Sequence, residues 1–192
     1  MRTRFFSHEK NQNRSGQSLY LECVRIIFET VRKGSRGRPR GSTGKAAILS
    51  TAQISEVIRV ARREAQNSDR AQAVVALSVG LGLRASELAA LKFADVYDSD
   101  GAVRELVLIE PAYAGVRRPL SLSSPWVRKV LAAYRDKQFP FAPHPDVPMF
   151  QSQRGGHMTA ASMARFITGL YRQAGIPGAS SYSGRRTFMS NR

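Results

Sequence analysis

The 192-residue chain carries 30 Lys and Arg against 14 Asp and Glu, a formal charge of +16, with 42% hydrophobic residues. That apolar content supports a packed core and excludes a disordered polyelectrolyte, while the excess charge points to nucleic acid first and an anionic membrane second. No apolar run approaches the roughly 18 to 20 residues of a membrane span, the start MRTRFFSHEK lacks the apolar stretch of a secretory signal, and the single Cys23 excludes an internal disulfide and suits a reducing cytosol.

Residues 1–45 hold eleven Lys and Arg against three Asp and Glu, so about +8 of the charge lies in the first quarter. Within it, SGQSLYLECVRIIFETVRKG predicts an amphipathic helix, with Leu19, Leu21, Val24, Ile27, Phe28 and Val31 at mixed three- and four-residue spacing and Gly34 at its end. A linker follows, SRGRPRGSTGK, in which Arg36, Arg38 and Arg40 flank Gly and Pro. The RGRPR core resembles an AT-hook, whose arginines enter a narrow A·T minor groove. The plainer reading is a solvated basic linker that touches phosphate without sequence preference. Both make it a DNA-facing strap.

From residue 46 onward the pattern predicts one domain. Ser50 or Thr51 caps a helix through AQISEVIRVARREAQ, with Ile54, Val57, Ile58 and Ala61 on one face. A second helix starts at Ser68 and Asp69, is apolar nearly all round and therefore buried, and ends at Gly80 and Gly82. ASELAALKF restarts a short helix with Leu88 and Leu91 inward. ADVYDSDGAVRELVLIEPAY then places an Asp-Gly turn between two β-favouring runs, and VRRPLSL offers a third, which predicts a small antiparallel sheet of two to three strands. SPWVRKVLAAYRDKQ reads as a helix with Ser124 as cap and Pro125 at its first position, and TAASMARFITGLYRQAG as another, capped by Thr159 and stopped at Gly175. The fold class is α+β, mainly helical.

Two arginine positions stand out. Arg84 is the only charge between Arg70 and Glu87 and sits in apolar surroundings at a Gly-marked break. An arginine beside a core must be paired or reach into a cleft. A local pair with Glu87, three residues on, is one reading, and a cleft-facing anion site is the other. Arg185 and Arg186 follow a small, flexible Ser183-Gly184 pair and suit an anion, or a generic basic helix start on DNA backbone.

These stretches resemble a known family. GLGLRASELAALKFADV is similar to the first arginine motif of the tyrosine recombinases (phage integrases), SSYSGRRTF to the second, and MFQSQRGGHMTAASMARFITGLYRQAGI to the segment between them, in order and over residues 46–192. The resemblance implies a tyrosine-recombinase catalytic-domain fold. It also implies inherited chemistry in which a tyrosine attacks a DNA phosphodiester with neither metal nor ATP. By that resemblance Arg84 and Arg185 clamp the non-bridging oxygens, where bidentate, permanently charged donors offset developing charge. Glu87 supports the site, and Arg186 takes the position that commonly follows the second arginine. Arg117 and Arg118, on the third β run, join Arg36, Arg38 and Arg40 as expected DNA contacts.

The chain departs from the family at several positions. Tyr113 aligns where the family has a hairpin lysine acting as general acid, and neither Arg117 nor Arg118 replaces it, since arginine holds its proton too tightly. Tyr182 stands where the family has a histidine, and His157 reads as a loop residue outside the motif. The nucleophilic tyrosine and the Gly-His or Gly-Trp element before it would come after Arg192, so the resemblance implies a catalytic domain truncated at its C-terminus. The N-terminal core-binding domain is reduced to one helix and a strap.

The expected function is therefore that of a site-specific recombinase- or integrase-like DNA-binding protein, inactive alone. Whether it is itself an enzyme stays open. The alternatives are a non-catalytic regulator or competitor of an intact recombinase, or a vestigial mobile-element fragment with Phe166, Ile167 and Leu170 left uncovered. Duplex DNA is the expected partner, with an intact recombinase or further copies of this chain beside it, and no membrane. The three histidines and one cysteine are scattered, and neither GLGLR nor GSTGK has nucleotide-loop spacing, so no metal and no cofactor are expected. The expected location is the cytoplasm, on the nucleoid.

Overall fold

The computed structural model describes residues 45–192 apart from 65, 66, 110–117, 140, 142, 154 and 192. They belong to one compact unit, Gly44–Arg192. The expected helix in residues 15–34, Arg36, Arg38, Arg40, Tyr113 and Arg117 lie outside the described residues.

Among the described residues, seven helices and a two-stranded sheet follow one another in the order α1 (Thr51–Arg63), α2 (Ser68–Gly80), α3 (Ala85–Ala90), α4 (Phe93–Val96), β1 (Leu106–Ile109), β2 (Arg118–Ser121), α5 (Pro125–Gln138), α6 (Ala160–Gln173) and α7 (Ser183–Ser190). Local chemistry accounts for their starts. Ser50 Oγ accepts from the Gln53 N–H at 3.2 Å while Gln53 Oε1 accepts from the Ser50 N–H at 2.9 Å, a reciprocal cap that opens α1. Thr159 Oγ1 accepts from the Ser162 N–H at 3.1 Å and opens α6. Pro125 at the first position of α5 has no N–H to leave unsatisfied there.

α2 is the hub. Ala71, Ala73, Val74, Val75, Ala76, Leu77 and Ser78 are all buried, because α2 packs against α1, α5 and α7 and touches α3 and α6. A helix apolar on every side finds that many neighbours only at the centre of a domain. Val57 and Ala61 of α1 are buried, with Ile54 and Ile58 packed against the same core. Ile167 and Leu170 of α6 are buried, and Phe166 is partly buried against the core with the Arg70 guanidinium 5.5 Å from its ring centre. The expectation that these three are left uncovered is therefore corrected: α6 lies on α1 and α3, which take its apolar face.

The sheet has two antiparallel strands with Val107 opposite Leu120 and Ile109 opposite Arg118. The first β-favouring run folds differently from its propensity. Asp95 Oδ2 accepts from the Lys92 N–H at 2.7 Å, and this cap starts the single turn α4. Tyr97 then forms an isolated bridge to Val103 around the Asp100-Gly101 turn, where Gly101 takes φ +77°.

Ser183 and Gly184 are not a flexible pair but the first turn of α7. A Cβ on Gly184 would lie 2.3 Å from Ser78 Oγ and about 3 Å from the Ser78 carbonyl, so only glycine lets α7 sit directly on α2. Gly184→Ala should lower stability by about 1 to 3 kcal/mol through overpacking. Urea unfolding would read this as a reduced midpoint at constant slope, and an unchanged midpoint would show that the two helices can part at no cost.

Candidate DNA-phosphate site

The two arginine stretches meet because two glycines remove side chains from their contact. Besides Gly184, Gly82 turns the chain out of α2 with φ +66°, and a Cβ there would stand 2.5 Å from the Phe188 ring. With α7 seated this way, Arg185 Nη1 donates to the Gly82 carbonyl at 2.9 Å, two residues before Arg84.

Glu87 lies at the junction and is 5% exposed. Its Oε2 accepts from the Arg84 backbone N–H at 2.7 Å and from Arg118 Nη2 at 2.9 Å, and Arg185 Nη1 stands 3.9 Å away. A buried carboxylate needs partners of this kind. The structure thus gathers Arg84, Glu87, Arg118 and Arg185, although they come from α3, β2 and α7. Of the two readings of Arg84, the local pair exists only through its backbone. Its guanidinium is exposed and has no partner among the described residues.

Arg186 points elsewhere: its Nη1 donates to the Ala46 carbonyl. The same segment is held by the Leu49 N–H donating to Thr187 Oγ1 at 2.8 Å and the Ala47 N–H to the Gly178 carbonyl at 3.1 Å. Thr187 Oγ1 in turn donates to the Ser183 carbonyl at 2.9 Å. Arg186 and Thr187 therefore fasten residues 46–49 along α7. Tyr182 precedes α7 and is 49% exposed.

Sequence reading missed two features. One is the Arg118–Glu87 ion pair, which joins positions 31 residues apart and has no local signal. The other is an open groove of about 430 Å³ beside α3, with Ser86, Leu91, Lys92, Asp146, His157 and Met158 among its walls. Lys92 Nζ is 2.6 Å from Asp146 Oδ1 across it. His157 sits on a loop at an isolated bridge to Gln151, as the sequence suggests.

Solved structures share this fold. XerA recombinase superposes with a TM-score of 0.62 at 21% identity, over 93% of this chain and 62% of its own. The Tn1549 transposon integrase, in complex with a circular intermediate DNA, gives 0.61 at 18% identity over 93% and 65%. A lambda integrase dimer bound to a COC′ core site gives 0.58 at 14% over 91% and 63%. The chain has the tyrosine-recombinase catalytic-domain fold. It spans about three fifths of the length of these recombinase-fold chains. No family model and no curated protein matches the sequence.

In this recombinase-fold domain the tyrosines divide sharply. Tyr97 donates to the Leu131 carbonyl at 2.9 Å and Tyr134 to the Met149 carbonyl at 2.6 Å, and burial pushes both hydroxyls above the usual phenol range. Burial pushes Tyr171 up to about 12. Tyr182 is thus the one exposed tyrosine among the described residues. The fold holds Tyr171 neutral, so its contribution to stability is intact below about pH 10, the pKa of an unfolded phenol. It is lost as pH rises through about 12. Unfolding followed across alkaline pH should show this decline, and Tyr171→Phe should remove its share; an unchanged slope in that variant would place the titration elsewhere.

Proposed function

We propose that the chain is a site-specific tyrosine-recombinase-like DNA-binding protein that grips a backbone phosphate of duplex DNA between Arg84 and Arg185. The observation that carries this reading is the convergence at Glu87. Arg185 is drawn to within hydrogen-bonding distance of the Gly82 carbonyl, and Arg84 presents an exposed guanidinium from the next turn. Two guanidinium forks from separate elements suit a phosphodiester, whose non-bridging oxygens accept bidentate hydrogen bonds. The +16 charge adds a sequence-independent attraction to the duplex. The Tn1549 and lambda integrase structures hold DNA on the same fold, which supports DNA as partner. Among the described residues no helix is long and apolar enough to cross a membrane, and the proposed setting is the cytoplasm, on the nucleoid.

Strand cleavage by this fold needs a phenol that reaches phosphorus. Tyr97, Tyr134 and Tyr171 are buried, so among the described residues only Tyr182 could do so. With Tyr182 standing where the resembled motif has a histidine, the described residues favour gripping DNA over cutting it. This supports a second reading, a non-catalytic regulator or competitor of an intact recombinase on the same DNA. An intact recombinase or further copies of this chain would then be its partners.

A nicked duplex that traps covalent intermediates, run on a denaturing gel beside a binding shift in a salt series, tests both. The expected result is a salt-dependent shift without a covalent band, with Arg84→Ala reducing the salt slope by about one. A covalent band lost in Tyr182→Phe would establish cleavage by this chain. Absence of any shift would overturn the reading.

A further inference from the structure

We propose that Arg118 is a positioning residue that keeps Arg185 available to phosphate by occupying the Glu87 carboxylate; this rests on reading Arg84 and Arg185 as the phosphate clamp. Arg118 is the first residue of β2, and its neighbours in sequence suggest a DNA contact. Its geometry gives it a partner within the protein. Arg118 Nη2 lies 2.9 Å from Glu87 Oε2, and the Glu87 side chain is 4% exposed. Arg185 Nη1 stands 3.9 Å from the same oxygen with its side chain 15% exposed, too far for a hydrogen bond, and donates instead to the Gly82 carbonyl at 2.9 Å.

Two guanidinium groups therefore compete for one buried carboxylate oxygen, and Arg118 holds it. The balance matters because a buried carboxylate is costly when unpaired. Without Arg118, Glu87 retains among the described residues only the Arg84 N–H, and the nearest remaining cation among them is Arg185, about an ångström beyond bonding distance. Glu87 would then close on Arg185. A guanidinium engaged by a buried carboxylate no longer offers its fork to a phosphate, and its charge is neutralised where DNA needs it. Arg118 thus acts on DNA binding through Glu87 and Arg185.

This predicts suppression. With a short fluorescent duplex of mixed sequence, Arg118→Ala should weaken binding about tenfold, the scale of one charge-assisted hydrogen bond. Arg118→Lys should retain most of the affinity by keeping a cation on Glu87. Glu87→Gln keeps an acceptor for the Arg84 N–H but removes the charge that would capture Arg185, so the Glu87→Gln/Arg118→Ala double variant should recover most of the loss. A purely structural Arg118 would instead lower stability without that recovery. A defect that Glu87→Gln leaves in place would make Arg118 a direct phosphate contact and overturn the proposal, as would wild-type affinity in Arg118→Ala.

A second measurement needs no DNA. Urea midpoint shifts of Glu87→Gln and Arg185→Ala should couple weakly in the wild-type background, across 3.9 Å, and depart much further from additivity in the Arg118→Ala background, where the two residues pair. Equal coupling in both backgrounds overturns the proposal. Failure of the wild-type protein to bind duplex would overturn the phosphate-clamp reading, and the urea cycle would still decide the role of Arg118.

Discussion

The buried charge of Glu87 is the constraint around which the site is arranged. A carboxylate removed from water must be met by donors, and three arginines supply them in three ways: Arg84 with its backbone, Arg118 with a direct ion pair, and Arg185 with a charge held just out of bonding range. One acidic side chain thereby fixes the start of α3, the start of β2 and the first turn of α7 relative to one another. Of the three guanidinium groups, that of Arg84 faces outward. In the proposed phosphate grip Arg185 is set before any ligand arrives, because the Gly82 carbonyl and the Glu87 charge hold it.

That arrangement depends on close contact between α2 and α7, which is a matter of space. Gly82 and Gly184 sit where any side chain would strike Phe188 or Ser78. The same contact is tied from the other side, where Arg186 and Thr187 hold residues 46–49. The adjacent arginines 185 and 186 therefore have opposite roles in the structure, one turned to the carboxylate junction and one to the backbone of a passing segment. Successive residues on a helix point about 100° apart, so this division is a consequence of helical geometry.

The small amphipathic and polar positions reinforce the picture. Tyr97 and Tyr134 spend their hydroxyls on backbone carbonyls of α5 and the loop after it, in a cluster with Phe93, Phe139 and Phe150 whose ring centres lie 4.8 to 6.1 Å apart. They are core residues with polar tips: that of Tyr97 ties α4 to α5, and that of Tyr134 secures the end of the Pro-rich loop to α5.

The sequence alone determined helices α1, α2, α3, α5 and α6, the caps at Ser50 and Thr159, the buried character of Ser68–Gly80 and the two arginine stretches, because these are signals of local spacing: 3.6-residue periodicity, Ser or Thr before an apolar run, Gly at a stop. It also carried the resemblance whose fold the solved recombinase and integrase structures share. It overread the uncovered face at Ile167 and Leu170, since the neighbours that bury them, on α1 and α3, lie far away in the chain. It read ADV as strand where one side-chain cap from Asp95 decided for a helical turn. Only the tertiary structure decided that Glu87 takes the backbone of Arg84 and the side chain of Arg118, and that Arg185 and Arg186 part company. Pairings across 31 to 140 residues depend on which surfaces pack together, and no periodicity along the chain encodes them.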